Sequence, residues 1–172
     1  SAGTPTRWGA SCAAGGATGS CFVRILRDPR FSGSLYLRIA PAEVDPLVAA
    51  EIVIATPQGH ILINSDYERT VPAIKGSVEK LGFKFSDIKI LLGSHAHGDH
   101  MEGDALVKDL TGAQAMAMAE DIPALQTMGT PSGKPRPEYK VIRDGEKVTL
   151  GGTTLVAHLT PGHTRGCTTW TA

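Results

Sequence analysis

The chain carries no excess charge of either sign: its 172 residues include 17 basic and 17 acidic side chains. This balance gives no reason to expect nucleic acid or an anionic membrane as a partner. No apolar run approaches the roughly 20 residues of a membrane span. Ser11 to Phe22 is rich in small residues but lacks the continuous apolar centre of a signal peptide. With 41% hydrophobic residues, the composition is that of one globular domain with a single core.

Recognisable protein nucleophiles are also scarce. The sequence has no G-x-S-x-G motif of the kind that presents a catalytic serine. Three cysteines permit at most one internal disulfide, for which Cys12 and Cys21 are candidates, and they do not decide the redox compartment. The histidines and carboxylates are therefore the main candidates for functional residues.

Residues 95–100 read His-Ala-His-Gly-Asp-His, after an apolar, strand-like segment and before a helix-like one. Side chains at positions i and i+2 of an extended segment point to the same side, so His95 and His97 can bind one ion together. Asp99 and His100 lie in the turn to the next helix and can face a second ion. Imidazole nitrogen and carboxylate oxygen are ligands that suit Zn²⁺. The alternative is a polar loop that is rich in histidine by chance, and the specific spacing argues against it.

The pattern H-x-H-x-D-H resembles the metal-binding motif of the metallo-β-lactamase superfamily. Glyoxalase II-like thioesterases and metal-dependent lactonases share it, so the motif alone does not choose among members. The flanking segments 55–66 and 159–170 resemble class B β-lactamases of subclass three. His100 agrees, because subclass-one enzymes typically have Arg there and use a Cys at the second metal. The resemblance runs from about Ile52 to the last residue.

The resemblance implies an α/β fold, the four-layer αββα sandwich, in which two αβ halves pack sheet against sheet with the metals at one edge between them. The chain is expected to supply the first half and the start of the second. Residues 1–50 are expected to be a divergent, poorly assignable amino-terminal segment, in which Ser32 to Tyr36 resembles the family's first strand. The resemblance implies that residues 51–172 form a partial metallo-β-lactamase domain.

The resemblance also implies a set of metal ligands. His95, His97 and His163 would hold the first zinc, and Asp99 and His100 would contribute to the second. His163 has independent support, because the Pro-Gly pair before it is a turn signal that ends a strand and brings the backbone close to the site.

The implied activity is zinc-dependent hydrolysis of the β-lactam amide bond by a metal-bound hydroxide, with one or two Zn²⁺ ions as cofactor and Asp99 orienting the hydroxide. Zinc lowers the pKa of bound water toward neutrality, so no protein nucleophile is required. The alternatives are another hydrolase of the superfamily, acting on a thioester or lactone, and an inactive zinc-binding fragment. The partner would be a small-molecule β-lactam, and the location would be the periplasm.

The family pattern continues past the segment that ends this chain. The missing part would carry the third ligand of the second zinc and the serines that receive the substrate carboxylate, so we expect a weak second site and impaired activity. A sheet face built for a missing partner would be apolar and exposed, which favours self-association.

Three other residues are assigned structural roles. We expect His60, after a Pro-Gln-Gly turn, to be a hydrogen-bonded loop histidine. His158 is expected in a strand, facing outward or pairing across the sheet. Cys167, close to His163, invites a role as thiolate ligand, but its position in the family pattern favours a packed structural residue.

Periodicity and turn signals predict the elements from residue 51 onward. The predicted strands cover 52–55, 61–64, 114–118, 147–150 and 153–159; the predicted helices cover 71–81, 103–110 and 123–128; and 129–137 is predicted to be a mobile surface loop.

Overall fold

The computed structural model of the protein describes residues 35–39 and 51–172, which form two β-sheets and four α-helices. The strands are β1 (Leu35–Ile39), β2 (Glu51–Thr56), β3 (Gly59–Ile63), β4 (Ile88–Leu92), β5 (Gln114–Met118), β6 (Lys140–Ile142), β7 (Lys147–Leu150), β8 (Thr153–Leu159) and β9 (Thr168–Thr171). The helices are α1 (Val71–Lys80), α2 (Gly98–Met101), α3 (Asp104–Thr111) and α4 (Ile122–Thr127). Every element predicted from residue 51 onward is confirmed within a few positions, whereas β6, β9 and α2 were not predicted.

The larger sheet has six strands in chain order, β1 to β6. Its first three strands are antiparallel, and β3 to β6 run parallel. Parallel strands place their carboxyl ends at one edge of a sheet, which is where open α/β sheets build ligand sites. The loop after β4 therefore emerges at the edge where a functional site is expected.

The outer face of the larger sheet is covered by helices α1 and α3. Helix α1 begins after Thr70 with a proline in its first turn, as the sequence predicts. Its apolar stripe packs as core, since Val71, Ile74 and Val78 are fully buried, while Leu81 beyond the end of the helix is 49% exposed. Gly112 ends α3 in a left-handed conformation.

The inner face of the larger sheet packs against the smaller sheet, which has the order β7-β8-β9. One buried cluster spans both sheets and joins Ile54, Ile61, Ile63, Leu92, Met116, Met118 and Ile142 to Val148, Leu155, Ala157 and Trp170. The α, β and β layers confirm the predicted α/β sandwich class, with the layers that the chain was expected to supply.

The apolar sheet face that was expected to be exposed is not found in the described part of the chain, because β7–β9 cover it. The large exposed hydrophobic residues there are Leu81, Leu110 and Val141, which are far apart in the sequence. Self-association remains a prediction without that support. None of the helices among the described residues is long and apolar enough to cross a membrane.

The loop between α4 and β6 is anchored rather than loose. Glu68 accepts a hydrogen bond from the Ser132 amide at 3.0 Å. Arg136 donates to the carbonyls of Met101 and Glu102 at 2.9 and 3.1 Å. The prolines and glycines of this loop predicted its irregular path correctly, but long-range hydrogen bonds, which leave no local sequence pattern, hold it in place.

Candidate metal centre

The first segment of the site runs from Gly93 to His100, through the loop after β4 and into the short helix α2. Gly93 permits a close approach, because a Cβ there would lie 2.3 Å from the Met101 methyl carbon and 2.4 Å from its sulfur. The Met101 thioether thus packs directly against the backbone at Gly93. His97 is extended, and its carbonyl accepts the amide of Met101 at 2.9 Å, which starts α2. The loop is short and firmly held at both ends.

The second segment lies between β8 and β9 and carries His163. The amide of Thr160 donates to Cys167 O at 2.8 Å, which closes this loop at its base. The amide of Thr168 donates to Ser94 O at 2.7 Å, and the Trp170 indole donates to Gly93 O at 3.0 Å. These two bonds fasten the smaller sheet to the first segment, so His163 is brought to the histidines of the larger sheet.

His95, His97 and His163 form the first ligand group, with one nitrogen of each within 4.8 Å of the others. Their ring centroids lie 4.5 to 5.0 Å apart and the rings are nearly perpendicular, at 81 to 83°. His95 is buried and the other two are exposed. Three imidazoles that meet edge-on with their nitrogens converging fit a tetrahedral metal ion that keeps one open position.

His95, Asp99 and His100 form the second ligand group, again with ligand atoms within 4.8 Å. The Asp99 carboxylate lies 3.5 Å from His100 Nε2, and the His95 and His100 rings are 3.8 Å apart. His95 belongs to both groups, but each residue offers only one ligand atom. His95 can therefore serve one group at a time. When His95 binds within the first group, the second retains Asp99 and His100 as its ligands among the described residues.

A set of polar contacts orients these ligands, and the sequence prediction did not include it. The Ser94 hydroxyl lies 3.3 Å from His95 Nδ1 and 3.2 Å from His100 Nδ1. Asn64 accepts the Ser94 amide at 3.0 Å, and the amides of Ser65 and Asp66 donate to His100 O at 2.9 and 3.1 Å. Partners of this kind fix ring orientation in metal sites.

The loop that makes these contacts is strained. Asn64 and Asp66 have φ of 65° and 58°, the left-handed region that side chains rarely adopt. Such strain persists where surrounding structure imposes it and is concentrated near functional sites. The only signal for these residues in the sequence was that they fall within the flank 55–66 that resembles the family.

The electrostatics favour neutral imidazoles. Burial, with a smaller effect of the other histidines, lowers the pKa of His95 to about 3. Burial likewise lowers the pKa of His100 to about 4, against the opposing effect of the Asp99 carboxylate. Neutral imidazole is the form that binds metal, so His95 and His100 are in their metal-binding form at neutral pH.

The three residues assigned structural roles lie outside both groups. His158 is half-buried on β8 and pairs across the sheet with the Thr171 hydroxyl at 2.9 Å, as predicted. Cys167 is fully buried and disulfide-bonded, so it offers no free thiolate. Cys12 and Cys21, the candidates for an internal disulfide, lie outside the described residues.

His60 differs from its prediction. It lies on β3 rather than in a loop, it is 6% exposed, and its ring packs edge-on against Phe83 at 5.1 Å. Among the described residues its Nδ1 has no hydrogen-bond partner. The turn ends one residue earlier than expected, because Gly59 already pairs with Thr56, and this places His60 in the sheet.

Comparison with known proteins agrees with this geometry. Residues 52–171 match the sequence model of the metallo-β-lactamase superfamily. The structure is similar to FEZ-1 metallo-β-lactamase from Legionella gormanii, with 53% identity, a TM-score of 0.64 and coverage of 70% of this chain and 50% of that one. It is also similar to BJP-1, a subclass B3 metallo-β-lactamase of Bradyrhizobium japonicum, with 41% identity, a TM-score of 0.63 and coverage of 70% and 49%.

MIM-1, a metallo-β-lactamase from Novosphingobium pentaromativorans, is 32% identical, with a TM-score of 0.65 and coverage of 70% of this chain and 48% of that one. The matched part of the chain thus spans about half the length of these relatives. The matched residues include both segments of the metal centre. The chain therefore belongs to the metallo-β-lactamase superfamily and is of the subclass B3 type.

Proposed function

We propose that the protein takes part in zinc-dependent hydrolysis of the β-lactam amide bond. The observation that carries the proposal is the convergence of His95, His97 and His163 from two separate segments, in a chain 53% identical to a metallo-β-lactamase over the matched region. Three neutral nitrogen ligands and an open position are typical of catalytic rather than structural zinc. Periplasmic location is proposed with it, on family resemblance alone.

The donor set fits zinc, and the roles of the residues follow from it. When bound, zinc polarises a carbonyl oxygen and lowers the pKa of a coordinated water toward neutrality. His95, His97 and His163 would hold the first ion. The Asp99 carboxylate, at the start of α2 and 40% exposed, would accept a hydrogen bond from the attacking water and hold its proton. His100, 3.5 Å from Asp99, orients that carboxylate.

We propose that the second ion binds weakly to this chain. Once His95 is engaged in the first group, Asp99 and His100 supply two ligands where zinc sites normally have three or four. Positioned charge is usually the largest catalytic contribution, and the loss of one donor costs on the order of a hundredfold in rate. Turnover by these 172 residues should therefore be impaired.

A substrate panel tests the function. The chain with added zinc is assayed against a chromogenic cephalosporin, a thioester and a lactone, before and after dialysis against chelator. Cephalosporin turnover that chelator abolishes, zinc restores and Asp99→Asn removes would support the proposal. Turnover of the thioester or lactone alone would replace it with another hydrolase activity, and zinc binding without any turnover would identify a non-catalytic fragment.

A further inference from the structure

Asp121 is a buried carboxylate that the metal groups do not include. It lies at the end of the 3₁₀ turn Ala119–Asp121, directly after β5, and is 3% exposed. Burying a carboxylate is costly unless donors satisfy it. Asp121 receives three such donors, and all of them come from the two segments that carry the candidate metal ligands.

The three contacts join the two segments through one side chain. Asp121 Oδ2 accepts hydrogen bonds from the Ala96 amide and the Thr164 hydroxyl, each at 2.8 Å. Asp121 Oδ1 accepts one from the Gly166 amide at 2.7 Å. Ala96 lies between His95 and His97, and Thr164 follows His163. The carboxylate therefore contacts an immediate neighbour of every ligand in the first group.

The packing around this carboxylate leaves no slack. A Cβ on Gly166 would lie 2.7 Å from both Asp121 Cγ and the Asp121 amide nitrogen. That approach is possible only because residue 166 is glycine. Hydrogen bonds to an ionised carboxylate are stronger than those between neutral groups, so the distance between the two segments is tightly set at this point.

We propose that Asp121 is a positioning residue that sets His163 against the His95 and His97 pair, and thereby sets the affinity of the first metal ion. This inference rests on the proposed function only in taking these three histidines as ligands. Asp121 itself binds no metal. It acts through the backbone of Ala96 and Gly166 and through the Thr164 hydroxyl, as outer partners of metal ligands commonly do.

The test is Asp121→Asn in the full chain, with Co²⁺ and Zn²⁺ as probes. The amide of Asn has one acceptor oxygen, so its nitrogen must face at least one of the three donors. We expect metal affinity to fall about 10- to 100-fold, the range for outer partners of metal ligands. We also expect the visible absorption of bound Co²⁺ to change, because the positions of its three nitrogen ligands change.

Asp144→Asn is the matched control. Asp144 is an exposed carboxylate that accepts a hydrogen bond from the amide of Leu159, the last residue of β8, at 2.9 Å. Both residues lie outside the two ligand segments. The control variant should leave the affinity and the cobalt spectrum unchanged. A purely structural role for Asp121 predicts a lower melting temperature of the metal-free Asp121→Asn chain, with no change in metal affinity or in the cobalt spectrum.

Thr164→Val is the second variant and decides the matter if Asp121→Asn does not fold. It removes one hydrogen bond while leaving both backbone contacts, so we expect a smaller loss of affinity, restored in Thr164→Ser. A folded Asp121→Asn with wild-type affinity and spectrum, or Thr164→Val with wild-type affinity, would overturn the proposal. Because the readout is metal binding, a wild-type chain that binds Co²⁺ but hydrolyses no β-lactam would refute the proposed function and leave this inference standing.

Discussion

The two segments of the metal centre differ in how the fold makes them. The loop of residues 95–100 carries four ligand-type side chains on one continuous stretch, and β4 and α2 hold it at both ends. The segment between β8 and β9 contributes a single exposed histidine, His163, whose place depends on contacts to the other sheet. The first ligand group needs both segments, whereas the second group lies within one. Although the first segment carries more ligand-type side chains, it cannot complete both groups, because the two groups share His95. The three-ligand site therefore depends on His163 from the second segment.

The largest effect should come from removing a ligand that belongs only to the first group. His97→Ala leaves two imidazoles in that group, and we expect zinc affinity to fall by more than about a hundredfold, beyond the range for outer partners. His97 is exposed, so the fold should persist. The measurement is competition for zinc with a chromophoric chelator.

His158→Ala is the control for this experiment. His158 is a half-buried histidine of β8 whose contact is with Thr171, outside both groups. It should keep wild-type zinc affinity. A His97→Ala variant that still shows the wild-type change in melting temperature on adding chelator would mean that His97 is not a ligand.

The next prediction compares the zinc content after dialysis of variants that each lack a ligand of one group. Wild type should retain about one zinc per chain, His163→Ala should lose it, and His100→Ala should keep it while losing the weak second binding step. Two tightly held ions in wild type would contradict the shared use of His95 and would require a further ligand.

The same contrast explains what the sequence could and could not predict. The local spacing of residues 95–100 predicts metal binding. The alternation and the helical periodicity of apolar residues predict the main strands and helices. His163 needed the family pattern as well as its Pro-Gly turn. Asn64 and Asp121 act through backbone groups distant in sequence, at separations of 30 and 25 residues for the Asn64–Ser94 and Ala96–Asp121 bonds, and no local pattern records such partners.

The short strands β6 and β9 were missed for a related reason. Lys140–Ile142 has only three residues, and Thr168–Thr171 has four of which three are threonine, so neither shows a recognisable alternation of apolar and polar residues. Their strand conformation comes from pairing with β5 and β8. His60 was misplaced because the hairpin turn is tighter than its Pro-Gln-Gly sequence suggested.

A smaller effect concerns the pH dependence of the metal-free chain. The folded pKa of His95, about 3, and of His100, about 4, lie below the ordinary value of about 6.5. Between about pH 6.5 and 4 the unfolded chain therefore binds protons that the folded chain does not. The free energy of unfolding should fall as pH falls through this window.

Asp104 has the opposite effect on the pH dependence of the unfolding free energy. A histidine variant is therefore needed to measure the contribution of the histidines. Burial raises the pKa of Asp104 to about 6, against the effects of the Ser65 hydrogen bond, Arg136 and Tyr139. Its protonation in the folded chain stabilises the fold as pH falls. Urea unfolding with chelator at pH 7.5, 6 and 5 should show a flatter dependence in His95→Gln than in wild type or His158→Gln. Equal slopes in all three would show that His95 does not contribute to the pH dependence.

The smallest effect should come from the hydrogen bond that joins strand β9 to the first segment of the site. Trp170 is 4% exposed, and its indole nitrogen donates to Gly93 O at 3.0 Å. Trp170→Phe keeps an aromatic ring in the shared core but leaves a buried carbonyl without this donor, which costs about 1–3 kcal/mol of unfolding free energy. Urea unfolding measures that cost. Zinc affinity should change little, because the Thr168 amide still donates to Ser94 O and Asp121 still contacts both segments. If Trp170→Phe instead lowered zinc affinity as strongly as Asp121→Asn, the hydrogen bond between Trp170 and Gly93 would position His163 as much as the Asp121 carboxylate does. That result would contradict the role proposed for Asp121.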